Sequence, residues 1–91
     1  MTAGRQIGMA RERLVGLVQA ILERADGTAF PVADRLSDLG MSSIKMVNLM
    51  LAVESEFDIM IPQSDITPEN FESIVTIEAL VVRLATAAAT A

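Results

Sequence analysis

Apolar residues recur at helical spacing along most of the chain. In the first third they stand three, four and seven positions apart and form one stripe: Ile7, Leu14, Leu17, Val18, Ile21 and Leu22. This spacing is typical of an amphipathic helix. It predicts a first helix from about Gln6 to Arg24, which Asp26-Gly27 would end.

A second helix is predicted from about Ser43 to Glu56. Its nonpolar positions, 46, 47 and 49–53, cover much more than the usual stripe of about 100°. Part of this surface must face the core. The rest is exposed, covered by a partner or used to line a cavity, unless the other helices cover all of it.

The connection between these helices, residues 25–42, is long for a compact domain, and such loops are usually functional or disordered. Four apolar residues can anchor it to the core, so we expect it to be ordered: Phe30, Val32, Leu36 and Leu39. Gly40 permits a tight turn immediately before the second helix.

Two further helices are predicted after Pro62. This proline ends any helix before it, so the short segment between the second helix and Pro62 is predicted to be extended. Thr67-Pro68-Glu69 has the signature of a helix start and predicts a short third helix to about Ser73. Thr76 can cap a fourth helix, about Ile77 to Ala87. The fold class predicted is therefore all-α: a small four-helix bundle, three main helices and one short third helix, forming a single domain over 1–91 with an ordered core of about 6–87.

Composition restricts the chemistry of the chain. It has 91 residues, of which 52% are hydrophobic and 3% aromatic, and it contains neither cysteine nor histidine. The chain therefore lacks disulfides, thiolate metal ligands and the commonest general base, and we expect no metal site and no enzymatic activity. Any thiol chemistry would need a prosthetic group.

Charge is concentrated in the central half. Nine acidic residues between positions 34 and 78 stand against two cations, Arg35 and Lys45. This balance disfavours nucleic acid and anionic membranes and suits partners with basic patches, although composition alone favours a simple solvated surface. No apolar run approaches the roughly 18 residues of a membrane span, and no signal peptide is evident, so we expect a cytoplasmic monomer.

The candidate chemistry lies in Gly40-Met41-Ser42-Ser43-Ile44, where a glycine turn and two serines open the second helix. A serine at a helix N-terminus has free backbone N–H groups beside it, and these and the helix dipole favour an attached anion such as a phosphate ester. Simple N-capping is the alternative role for Ser43. Ser42 is the better placed of the two to cap.

This segment resembles the attachment motif of the acyl and peptidyl carrier protein family, Gly-x-Asp-Ser-Leu. The acidic-Phe and Ile-Pro stretch from Glu54 to Pro62 stands at the distance the family shows, and the resemblance covers about Leu36 to Leu84. It implies that Ser43 carries 4′-phosphopantetheine, attached by a phosphopantetheinyl transferase. The arm's thiol would hold an acyl or aminoacyl group as a thioester, supplied by a loading ligase and passed to downstream acyl-processing enzymes.

Three residues in and just after the motif differ in charge from what the family commonly has. Ser42 replaces the usual Asp, while Lys45 and Asn48 stand where acids are common. A cation in the first helical turn opposes the dipole by a few tenths to about 1 kcal/mol, which a phosphodiester on Ser43 would offset. The departures favour a specialised, free-standing carrier with its own loading enzyme, or they are ordinary drift.

Partner contact is predicted at the start and exposed side of the second helix: Met41, Ile44, Lys45, Val47 and Leu51. The alternative function is an unmodified structural or regulatory helical subunit that uses this helix for a permanent contact. A hydrolase built on the paired serines lacks a base beside them. Fatty acyl, polyketide and amino acid cargo all remain open.

Overall fold

The computed structural model describes residues 8–23 and 30–90, with side chains up to residue 87. Three α-helices lie in these ranges: α1 (Ala10–Leu22), α2 (Ser43–Phe57) and α3 (Ile74–Thr90). Two short 3-10 helices, Leu36–Leu39 and Gln63–Asp65, lie in the connections. Since no strand occurs in the described ranges, the all-α prediction is confirmed.

Helix α1 packs the described part of its predicted stripe against the core, with Leu17, Ile21 and Leu22 half-buried, while Ile7 lies outside the described residues. Leu14 and Val18, four residues apart, are both 0% exposed. The helix begins at Ala10 and ends at Leu22, and Glu23 then adopts a left-handed conformation with φ 56°. The predicted helix start at Gln6 and the stop signal at residues 24–27 lie outside the described residues.

Helix α2 begins where the sequence predicts. Gly40 has φ 102°, a conformation that glycine adopts without steric cost and that turns the chain into the helix. The Ser42 Oγ then accepts the backbone N–H of Lys45 at 3.2 Å, so Ser42 is the N-cap and Ser43 the first helical residue. The helix ends at Phe57, followed by a left-handed Asp58.

Helix α3 begins one turn earlier than predicted. The Ser73 Oγ accepts the Thr76 N–H at 3.3 Å, and the Thr76 Oγ1 accepts the Ser73 N–H at 3.0 Å. This reciprocal pairing is a capping box in which Thr76 takes the place of the usual acid or amide. Thr76 thus takes part in the cap, but Ser73 holds the cap position and Ile74, not Ile77, opens the helix.

The predicted short third helix, Thr67 to Ser73, is wrong. The Thr67 Oγ1 does accept the Asn70 N–H at 3.2 Å, and Phe71 N–H donates to the Thr67 carbonyl at 3.3 Å. The segment nevertheless forms only a turn, because the cap of α3 follows at Ser73 and leaves no room for a second turn. The four-helix description is therefore replaced by three helices.

The connection before α2 is ordered over its described part, residues 30–42, as predicted. Leu36 is 0% exposed, and the other three predicted anchors are half-buried against the core. Two backbone hydrogen bonds fasten the segment to the start of α3: Leu36 N–H to the Glu72 carbonyl at 2.8 Å and Val75 N–H to the Val32 carbonyl at 3.1 Å.

Arg13 joins α1 to the C-terminal end of α2. Its guanidinium donates to the Glu56 carboxylate and to the Glu56 backbone carbonyl, both at 2.7 Å, and lies 4.4 Å from the centroid of the Phe57 ring. Phe57 is 1% exposed, so the cation covers the edge of the core. These contacts hold α2 firmly at the end opposite Ser43.

Candidate functional site

Helix α2 presents three apolar faces, which explains its excess of nonpolar residues. Leu49, Val53 and Phe57 recur every four residues and are buried in the core. Ile44, Val47 and Leu51 are 76%, 50% and 59% exposed and form a stripe on the outside. Met46 and Met50 are half-buried; they pack against the core and also line a groove, as does Val47 of the exposed stripe. Core packing therefore accounts for the buried face and part of the groove wall, but not for the exposed stripe.

The groove has a volume of about 610 Å³ and runs alongside the first half of α2. One wall is α2 itself, and the opposite wall is the turn that replaces the predicted third helix, where Ile66 and Phe71 contribute. Three methionines line it: Met41, Met46 and Met50. Because methionine is unbranched and flexible, such a lining can adapt to groups of different shape.

Ser43 lies at the mouth of this groove as the first residue of α2, and it is exposed. Ser42 supplies the cap, so the Ser43 hydroxyl is not needed to satisfy the helix end. Within the described part of the chain the Ser43 side chain makes no hydrogen bond. Its oxygen is therefore free to form a covalent bond without disturbing the helix.

The surroundings of Ser43 favour an anion. The first turn of α2 contains no acid but does contain Lys45, which is half-buried. Arg35 lines the same groove, and its Nε lies 4.0 Å from the Glu72 carboxylate. With the exposed backbone N–H groups of the helix start, these cations make the region suitable for a phosphodiester.

The predicted partner-binding residues do not all lie together. Ile44, Val47 and Leu51 share the exposed stripe, and Lys45 lies beside them in the first turn. The expectation that Met41 belongs to this exposed side is wrong, since Met41 is 7% exposed and belongs to the core cluster. The left-handed turn at Gly40 folds it inward, and its N–H donates to the Leu36 carbonyl at 3.0 Å.

The sequence alone did not predict the second wall of the groove or the presence of Arg35 in its lining. Ile66 and Phe71 are distant in sequence from α2, so periodicity along one helix could not place them there. The charge pattern of the sequence did single out Arg35, because Arg35 and Lys45 are the only cations between residues 34 and 78.

Two negative findings apply to residues 8–23 and 30–90. No group of three or more acidic, histidine or cysteine side chains there could hold a metal ion. Within the same ranges, the helices are too short or too polar to cross a membrane.

A small all-α fold that offers an exposed serine beside an apolar groove is typical of a carrier protein. Residues 12–84 match the family model described as the phosphopantetheine attachment site. The chain belongs to this family, and membership implies a covalently attached 4′-phosphopantetheine arm.

Two similar proteins come from Bradyrhizobium diazoefficiens. Aminoacyl carrier protein 1 of Bradyrhizobium diazoefficiens is 55% identical over 75 residues, which cover 78% of this chain and 80% of the relative. Aminoacyl carrier protein 2 of the same organism is 42% identical over 72 residues, which cover 78% and 81%.

Solved structures of similar chains come from complexes. One is the Bradyrhizobium japonicum glycine:[carrier protein] ligase complexed with glycylated carrier protein, with a TM-score of 0.64, 49% identity and coverage of 78% of this chain and 97% of that one. The other contains the ligase, its cognate carrier protein and an analogue of glycyl adenylate, with a TM-score of 0.65, 50% identity and coverage of 81% and 97%.

Proposed function

We propose that this chain is a carrier for an aminoacyl group, held as a thioester on a 4′-phosphopantetheine arm attached to Ser43. The observation that carries the proposal is the exposed Ser43 hydroxyl, which opens α2 while its neighbour Ser42 provides the cap. The relatives named aminoacyl carrier proteins support an amino acid as the cargo in place of a fatty acyl or polyketide group.

The roles of this chain's residues follow from that arrangement. The arm supplies a terminal thiol, which a chain without cysteine cannot supply itself. The Ser43 oxygen would attack the phosphorus of coenzyme A that bears the arm, the pyrophosphate bond would break, and adenosine 3′,5′-bisphosphate would leave. A base of the transferase would take the serine proton, since the chain has no histidine. The helix N-terminus and Lys45 stabilise the resulting negative charge. The chain therefore positions the group and catalyses no reaction.

The partners proposed are a phosphopantetheinyl transferase, a loading ligase and enzymes that receive the loaded group. A ligase is supported by the solved complexes of a similar carrier with a glycine:[carrier protein] ligase, which make glycine the first cargo to test. The exposed stripe of Ile44, Val47 and Leu51, with Lys45, is the proposed contact surface. We further propose a cytoplasmic monomer folded as one domain.

The attachment site is tested by intact-mass measurement. After incubation with coenzyme A and a broad-specificity transferase, the parent chain and Ser42→Ala should gain the mass of the arm. Ser43→Ala should gain nothing while its helical circular dichroism stays unchanged. A Ser43→Ala protein that still gains the arm contradicts the assignment, and a parent that never gains it favours the unmodified helical subunit instead.

The cargo is tested on the chain that bears the arm. Incubation with ATP, glycine and a glycine:[carrier protein] ligase should add one glycyl group, which hydroxylamine should release because thioesters react with it. Other amino acids and fatty acids with their own ligases serve as the comparison. Loading by a fatty acyl ligase alone would contradict the aminoacyl proposal but leave Ser43 attachment intact.

A further inference from the structure

Two cations stand near Ser43, one in the first turn of α2 and one in the lining of the groove, although this half of the chain is acidic. Between residues 34 and 78, nine acids stand against Arg35 and Lys45. Lys45 lies in the first turn of α2, and Arg35 lines the groove at whose mouth Ser43 lies. Both cations of the acidic segment thus lie at the proposed attachment site.

The backbone brings Arg35 to this site. Met41 N–H donates to the Leu36 carbonyl at 3.0 Å, so the chain doubles back on itself between these residues. Arg35 precedes one member of the bonded pair, and Ser42 follows the other. The Arg35 side chain and Ser43 consequently line the same groove, one from the connection and one from α2.

The ion pair between Arg35 and Glu72 leaves the Arg35 guanidinium able to bind another anion. The Arg35 Nε lies 4.0 Å from the Glu72 carboxylate, and the two side chains are 68% and 52% exposed. An exposed pair at that distance contributes little to stability. The guanidinium has five N–H donors in one plane, a geometry that suits two oxygens of a phosphate.

We infer that Arg35 binds the phosphodiester of the arm on Ser43, opposite Lys45, and so fixes the root of the arm at the groove. The inference rests on the proposed function, which places the arm on Ser43. Arg35 then bridges the phosphodiester and the Glu72 carboxylate. Lys45 and the helix N-terminus hold the same group from the α2 side.

The test compares the chain with and without the arm in Arg35→Gln and in Arg11→Gln. Arg11 is a matched control, because it is 50% exposed and pairs with Glu78 on α3, outside the groove. For each protein, circular dichroism gives the thermal midpoint of both forms at about 0.01 M and about 1 M salt. The ³¹P resonance of the phosphodiester is recorded on the forms with the arm.

Attachment of the arm changes the thermal midpoint of each protein. At low salt this change should be less favourable in Arg35→Gln than in the parent, by about 2 to 4 °C. The difference should disappear at about 1 M salt, where exposed charges are screened. The ³¹P resonance should also move in this variant. Arg11→Gln should shift both forms equally and leave the ³¹P resonance in place.

Equal midpoint shifts in the two forms of Arg35→Gln, with an unmoved ³¹P resonance, would overturn the inference. That result together with slower loading would assign Arg35 to the ligase contact instead. In both cases the mass gain on Ser43 stays intact, so the proposed function survives. A parent chain that gains no mass would overturn the proposed function, and this inference with it.

Discussion

Ser42 and Ser43, which are adjacent at the start of α2, differ in their hydrogen bonding and exposure. Ser42 accepts the Lys45 N–H and holds the helix end, and Ser43, one residue on, exposes its hydroxyl to solvent. Lys45 supplies the bonded amide and also places a cation where the helix dipole disfavours one. At the scale of single residues, the site is therefore built for a group of negative charge.

Lys45→Glu tests this view of the first turn. In the chain without the arm, the substitution should be neutral or stabilising by up to about 1 kcal/mol, because an acid in the first turn suits the dipole. In the chain with the arm, loading by the ligase should slow, and the defect should shrink as salt is raised. Stability is read from urea denaturation and loading from intact mass. Unimpaired loading at low salt would show that Lys45 is incidental.

Helix α2 serves as core, groove wall and outer surface at once. The stripe of Ile44, Val47 and Leu51 leaves apolar area in solvent next to the proposed attachment point, while Leu49 on the opposite face is 0% exposed. Exposed apolar area of this kind is typical of a surface that another protein covers. At the scale of the element, we therefore expect substitutions on this stripe to impair docking and to leave the fold intact.

Val47→Glu should slow ligase loading at least several-fold while changing the free energy of unfolding by no more than about 0.5 kcal/mol. Val82→Glu is the matched control, since Val82 is also an exposed helical valine, 40% exposed, but lies on α3 outside the groove. Leu49→Ala should instead lower stability by about 2 to 5 kcal/mol. If the ligase loads Val47→Glu and Val82→Glu at the same rate, this stripe is not part of the ligase contact.

The elements differ in how far the sequence could predict them. The start of α2 was predictable because Gly40 and Ser42 act locally, through a left-handed turn and a cap. The Thr67-Pro68-Glu69 signature predicts a helix start but not a length, and the cap at Ser73 ended that segment after one turn. The position of Arg35 depends on backbone bonds between residues far apart, such as Leu36 to Glu72, which leave no local pattern.

At the scale of the whole molecule, the helices are fastened at the end away from Ser43. Arg13 bonds the Glu56 carboxylate and carbonyl and covers the Phe57 ring, and its side chain is 28% exposed. Hydrogen bonds to a charged group of this kind contribute more than an exposed ion pair. We therefore expect the orientation of α2 to depend on Arg13 more than on any surface pair.

Arg13→Met keeps much of the aliphatic stem and removes the charge. It should lower the free energy of unfolding by about 1.5 to 3 kcal/mol in urea denaturation, because the carbonyl and carboxylate of Glu56 lose their donor. Arg11→Met, which removes an exposed pair with Glu78, should cost less than about 1 kcal/mol. A similar loss of unfolding free energy in Arg13→Met and Arg11→Met would show that the Arg13 contacts stabilise the fold no more than an exposed ion pair does.

The cap at Ser42 has a consequence for repeated use. A carrier is charged, discharged and charged again, and each cycle makes and breaks bonds at the end of its arm. Since the described residues make no hydrogen bond to the Ser43 oxygen, we expect the helix to be the same whether that oxygen is a hydroxyl or an ester. If the arm is attached at Ser43 as proposed, we expect one molecule to pass through many rounds of delivery, and to lose and regain its arm, without unfolding.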